Sequence, residues 1–172
     1  RGESAYAIGS VEDLDSYLGA RLSSKARYNL RRSRSKLEEM GKLNYEEAHD
    51  AVARLEFTEE MIGLKTKRYI ATGGDNLFAL PGYRHFYLAV TEALGDMIHA
   101  SRLRLDGATV AILWGIVCRG TFYIIMPAFE EGPWAAHSPG KQLLLEAMRS
   151  ELSRGARKVD FTIGDEPYKL EL

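Results

Sequence analysis

The sequence predicts one α/β domain built on a mixed, largely antiparallel sheet. Three observations carry that expectation. Helical periodicity dominates the first half of the chain. Three consecutive runs rich in β-branched and aromatic residues then follow, separated by Asp-Gly and Arg-Gly pairs. A further helical pattern precedes a short apolar run near the C-terminus. A length of 172 residues suits a single domain with a real core.

From about Val11 to Met40 the chain reads as helix. Leu22, Ala26, Leu30, Ser33, Leu37 and Met40 recur at three- and four-residue steps, and Gly41 is placed to end the helix in a left-handed conformation. Residues 1–41 are thus expected as a helical extension to a core over 42–172. Lys42 to Glu46 reads as a short strand. A long helix is expected from Asp50 to Thr72, with Val52, Leu55, Ile62 and Tyr69 on one side and Gly73-Gly74 as its stop. Pro81-Gly82 opens another helix, on which Tyr83, Phe86, Val90 and Leu94 share a face until Gly95. Met97 to Leu105, Ala108 to Cys118 and Thr121 to Phe129 then read as an antiparallel meander, since Asp106-Gly107 is a strong two-residue hairpin signal. Gln142 to Ser153 is helical, with Leu144, Met148 and Leu152 in phase. Its length allows a parallel crossover to a buried strand at Lys158 to Phe161.

Composition removes several classes of function. A chain that is 45% hydrophobic and 27% charged is globular, and a net charge of -1 gives it no overall bias toward nucleic acid or membrane. Cys118 is the single cysteine, so neither an internal disulfide nor a thiolate zinc cluster is expected. No apolar run approaches the roughly 20 residues that cross a bilayer, and no signal peptide opens the chain. A reducing, cytoplasmic setting is the expectation. The chain begins at Arg1 without an initiator methionine, which suggests a piece of a longer protein.

The clearest chemical feature is the helix start Ser138-Pro139-Gly140-Lys141. Ser138 is expected as N-cap and Pro139 as the first helical residue. Gly140 leaves the backbone of the first turn unshielded, so free N–H groups and the helix dipole are available to phosphate oxygens, with the Lys141 charge beside them. The four histidines, His49, His85, His99 and His137, show no metal-ligand spacing, and no metal is expected.

This ordering of a meander, a glycine-bearing helix start and a short strand resembles the GNAT acyltransferase superfamily. Four stretches tie it further to a FemAB-like, cellulose-biosynthesis-type acetyltransferase branch: Arg27-Tyr28-Asn29-Leu30-Arg31-Arg32, Leu103 to Ile112, His137-Ser138-Pro139-Gly140, and Asp160-Phe161 leading to Gly164-Asp165-Glu166-Pro167-Tyr168-Lys169. The resemblance spans about Leu18 to the C-terminus. It implies a mostly antiparallel twisted sheet flanked by helices, with an acyl-CoA, acetyl-CoA foremost, lying between splayed strands at Thr121 to Pro127 and Lys158 to Phe161. Backbone groups at Ile125 and Met126 would meet the pantetheine. Ser138 and the amides of Gly140, Lys141, Gln142 and Leu143 would hold the pyrophosphate. The helix start departs from the commoner Gln/Arg-x-x-Gly-x-Gly/Ala form. The chain also ends before the final strands such domains carry.

Transfer to an amine or hydroxyl needs a proton acceptor and an acid for the departing thiolate. The resemblance offers Tyr168 as that acid, Asp160, Asp165 and Glu166 as carboxylates for base or acceptor binding, and Lys169 for an anionic acceptor. The acceptor class it suggests is a small molecule or glycan, such as a sugar or polysaccharide precursor. The basic run Lys25, Arg27, Arg31, Arg32, Arg34 and Lys36 reads either as a solvated helix face or as a surface for tRNA or another polyanion. A FemAB-like aminoacyltransferase using aminoacyl-tRNA, or a non-catalytic basic module binding nucleic acid or a partner, therefore stays open beside the acyl-CoA enzyme. The oligomeric state is left open too.

Overall fold

The chain runs β1 (Ala5–Ile8), α1 (Leu14–Arg21), α2 (Ser24–Met40), β2 (Leu43–Glu47), α3 (Ala51–Thr72), α4 (Pro81–Leu94), β3 (Ile98–Leu105), β4 (Ala108–Cys118), β5 (Thr121–Phe129), α5 (Pro139–Ser153) and β6 (Lys158–Ile163). The structure, a computed structural model, describes residues 5–9, 11 and 13–163. Its strands form one six-stranded sheet in the order β1-β6-β5-β4-β3-β2. Every neighbouring pair is antiparallel except β5 and β6.

Turn chemistry sets the meander. Backbone φ is 47° at Asp106 and 84° at Gly107, then 49° at Arg119 and 73° at Gly120, the left-handed pairs that match the twist of a tight hairpin. Helix α5 returns the chain over the sheet, so β6 meets β5 in parallel, as a crossover connection allows.

Where one N-terminal helix was expected, two form. The first ends at Arg21, and Ser23 caps the second by accepting the Ala26 N–H at 3.1 Å. Ahead of both lies β1, a strand without an expected counterpart, paired antiparallel to β6 through Ala7↔Asp160 and Ile8↔Val159. At Gly41 the backbone is extended rather than left-handed; a Cβ there would collide with the Asp106 carboxylate, which accepts the Lys42 N–H at 2.7 Å.

Two cores sandwich the sheet. On one face α1, α2 and α5 cover a core of Leu14, Leu103, Leu113, Leu143 and Met148, with Leu30 of α2 packed against it. On the other, α3 and α4 bury Phe57, Met61, Tyr87, Ile112 and Trp114. The inward faces of α3 and α4 hold the expected Ile62, with Tyr69, Tyr83, Val90 and Leu94 packed beside it, but Val52 and Phe86 are exposed, and Arg54, Thr58 and Thr91 are buried. Hydrogen bonding explains the buried polar residues. Thr58 Oγ1 donates to the Arg54 carbonyl at 2.7 Å, Trp114 Nε1 donates to Thr91 Oγ1 at 3.0 Å, and Arg54 pairs with Asp96.

One cation ties this second layer to the sheet. Arg102 on β3 donates to Glu46 at 2.8 Å, Glu56 at 3.0 Å and Glu60 at 2.7 Å, and its guanidinium lies 4.1 Å from the centre of the Phe57 ring. Its side chain is 13% exposed. Arg102→Met is expected to remove about 2 kcal/mol of stability in urea unfolding. That is less than the loss for a fully buried ion pair, because the acids it leaves behind are partly solvated.

Candidate acyl-transfer cleft

The one parallel pair of strands is short. β5 and β6 run in register only through Thr121↔Lys158, Phe122↔Val159 and Tyr123↔Asp160. Beyond that point β6 turns away, and local chemistry accounts for the turn. The Asp160 carboxylate accepts the Thr162 N–H at 2.9 Å, closing an Asx-type turn within the strand. Thr162 takes φ 58°, a costly conformation for a β-branched residue. Its hydroxyl donates to the Ile124 carbonyl at 3.2 Å, a single side-chain bridge at the point of divergence. β6 meanwhile remains paired to β1 as far as Ala5↔Ile163.

β5 diverges as well. Its register with β4 slips between Trp114↔Met126 and Gly115↔Ile124, which makes Ile125 the extra residue of a bulge. Gly115 makes the bulge possible, because a Cβ there would collide with the Tyr123 carbonyl oxygen. The stretch 125–129 thus has β4 on one side and no strand among the described residues on the other. Pro127, which has no N–H to offer a ladder, falls within it.

A cleft of about 420 Å³ lies along this stretch, walled by Pro127, Ala128 and Phe129 of β5 and by Ser138, Gly140 and Leu144 around the start of α5. Ser138 is the N-cap, as expected, but it is left-handed, with φ 50°, and its hydroxyl makes no capping bond. Its carbonyl receives the N–H of Lys141 at 3.0 Å and of Gln142 at 3.2 Å. Pro139 has no N–H, so Gly140 presents the one first-turn amide without a partner among the described residues. A second groove of about 460 Å³, between α2 and α5, shares Ser138 and Lys141 with the cleft and adds Arg21, Asn29 and Ser33.

The residues singled out in the sequence distribute as follows. Gly140, Lys141 and Leu143 line the cleft together with Ser138, and Asp160 sits where the strands part. Ile125 and Met126 lie on the stretch of β5 that has β4 on one side only, with side chains against the α3–α4 core. The Gln142 side chain turns elsewhere, donating to the Leu30 carbonyl at 3.0 Å and tying α5 to α2. Tyr168, Glu166, Lys169 and Asp165 lie outside the described residues. Sequence reasoning missed Gly115, Thr162 and Phe129. Only Gly115 left a signal, as a glycine inside a strand pattern.

A mostly antiparallel sheet whose one parallel pair parts beside an open helix start is the architecture of an acyltransferase. The model of the acetyltransferase (GNAT) domain matches residues 24–170, and the chain belongs to that family. Two solved structures share the fold. One is the C-terminal domain (DUF2156) of a protein provisionally assigned as a lysylphosphatidylglycerol synthetase from Agrobacterium fabrum, with a TM-score of 0.59, 16% identity, and coverage of 95% of this chain and 46% of that one. The other is a conserved protein of unknown function from Bacteroides thetaiotaomicron, with a TM-score of 0.62, 12% identity, and coverage of 99% and 56%. The chain therefore spans about half the length of each. No curated protein matches it. Among the described residues no helix is long and apolar enough to cross a membrane.

Proposed function

We propose that the chain is an acyl-CoA-dependent transferase, using acetyl-CoA foremost, that acylates an amine or hydroxyl on a small molecule or on a sugar or polysaccharide precursor. One observation carries the reading: β5 and β6 separate after Tyr123↔Asp160, and along the freed part of β5 lies a cleft bordered by the unshielded Gly140 amide. The residues present suit such a carrier. An apolar β-edge would lie along the pantetheine stretch, the Gly140 amide and Lys141 would hold the diphosphate, and the α2–α5 groove with Arg21 would take the nucleotide end. The thioester brings the acyl group; the chain supplies orientation and proton transfer.

Calorimetry tests the reading directly. Acetyl-CoA is expected to bind at one site per chain, and acetyl-pantetheine, which lacks the diphosphate and nucleotide, at least tenfold more weakly. Equal or absent binding of the two rejects it.

Asp160 is the base candidate the structure describes, and its two possible roles separate by mutation. Asp160→Asn keeps an oxygen acceptor for the Thr162 N–H, so the strand geometry and acetyl-CoA affinity should hold within about twofold. If the carboxylate takes the acceptor's proton, thiol release with a panel of amines and amino sugars falls about 100-fold. Unchanged turnover would leave Asp160 a turn residue only.

A second reading rests on α2. Arg27 donates to the Gly19 carbonyl, Arg34 pairs with Glu38 and Glu146, and Lys36 pairs with Glu39. Lys25, Arg31 and Arg32 have no acidic partner among the described residues. That residual charge favours a polyanion such as aminoacyl-tRNA as donor, in the FemAB-like manner. RNA binding that falls steeply with salt and is lost in Arg31→Ala/Arg32→Ala would support it.

A further inference from the structure

At the far end of α5 from the acyl cleft, a separate cavity of about 360 Å³ opens onto Glu47 of β2, His99 of β3 and Glu151 of α5. Their side chains are 7%, 2% and 7% exposed. One ligating atom from each lies within 4.8 Å of the others: His99 Nδ1 is 2.6 Å from Glu151 Oε1 and 3.9 Å from Glu47 Oε1. Two buried carboxylates this close repel one another, and the one permanent cation between them is Arg154. It donates to Glu151 at 3.0 Å and pairs with Glu47, yet its own side chain is 47% exposed.

We propose that Glu47, His99 and Glu151 form a divalent-cation site of the zinc class, and that Arg154 holds the place a metal takes. Metal–ligand bonds of about 2.0–2.2 Å in a tetrahedron set neighbouring ligand atoms about 3.3–3.5 Å apart, a spacing bracketed by the two His99 distances. The surroundings match those of a metal-bound histidine. His99 Nε2 lies 2.8 Å from Ser101 Oγ, which can accept its N–H and leave the Nδ1 lone pair to the metal. The Tyr45 hydroxyl donates to Glu47 at 2.6 Å and fixes that carboxylate in turn. Three protein ligands leave the fourth position toward the cavity. Because Ser101 is fully buried, the Ser101–His99–Glu151 chain of hydrogen bonds is no nucleophile relay.

Protein freed of metal with a chelator is titrated with cobalt(II), followed by visible absorption, and with zinc(II), followed by calorimetry and thermal midpoint. One equivalent should bind, with a tetrahedral cobalt spectrum and a rise in the midpoint. His99→Ala should abolish binding, and Ser101→Ala should weaken it about 10- to 100-fold. Arg154→Met, which keeps every ligand and removes the competing cation, should tighten it at least tenfold. No saturable binding to the wild-type protein, binding that survives His99→Ala, or affinity that fails to rise in Arg154→Met overturns the proposal.

Discussion

Gly140→Leu is expected to weaken acetyl-CoA binding at least 100-fold, about 2.7 kcal/mol, while leaving the fold intact. The two effects separate because of what surrounds the residue. A Cβ at position 140 would meet only Phe129 Cδ1, at 3.7 Å, an ordinary contact, so the backbone accepts a side chain. Exchanging a glycine in the first turn of α5 for a good helix former should even add about 0.5 kcal/mol to stability. The added atoms must nonetheless occupy the cleft that Gly140 borders with Phe129 and Leu144, and cover the first-turn amide that has no partner among the described residues. Gly140→Ala is the control: its single methyl should cost less than tenfold. Calorimetry beside urea unfolding reads both quantities. Retained affinity in Gly140→Leu would place the carrier elsewhere.

Gly115→Ala is expected to be the most damaging small substitution in the sheet, costing about 3 kcal/mol. Position 115 lies opposite the bulge, where β4 and β5 approach so closely that a methyl would strike the Tyr123 carbonyl and press on the Phe122 ring at 3.0 Å. Relief requires the two strands to separate at the residues that set the angle of the cleft. Urea unfolding should show the loss. The protein that still folds should bind acetyl-CoA more weakly, although residue 115 does not line the cleft. A stable Gly115→Ala protein with unchanged affinity would disconnect the bulge from the site.

How much of this was legible depends on how far apart the determining residues lie. Asp106-Gly107 and Arg119-Gly120 specify their turns within two residues each, and the meander between them follows. Pro139 marks a helix start for equally local reasons. The buried faces of α3 and α4 were legible only in part, because Arg54, Thr58 and Thr91 go inside by virtue of hydrogen bonds to groups on other elements. Counting apolar side chains cannot find them. β1 is four residues long and pairs with a strand some 150 residues away, so no window along the chain reveals it. The site divides in the same way. Its helix start is a local signal, whereas Thr162 owes its left-handed backbone to Asp160 and Ile124 together. The Glu47, His99 and Glu151 cluster spans two separations of 52 residues, beyond any spacing rule.

β1 also reaches beyond its own edge position. Once β6 parts from β5, the strand it still leans on is the opening one, through Ala5↔Ile163. The strand that parts from β5 is therefore braced from behind by β1. Substitutions that weaken the pairing of β1 with β6 should alter how tightly the thioester is held. A one-pair shift of β1 along β6 would turn an edge strand into a control on substrate grip.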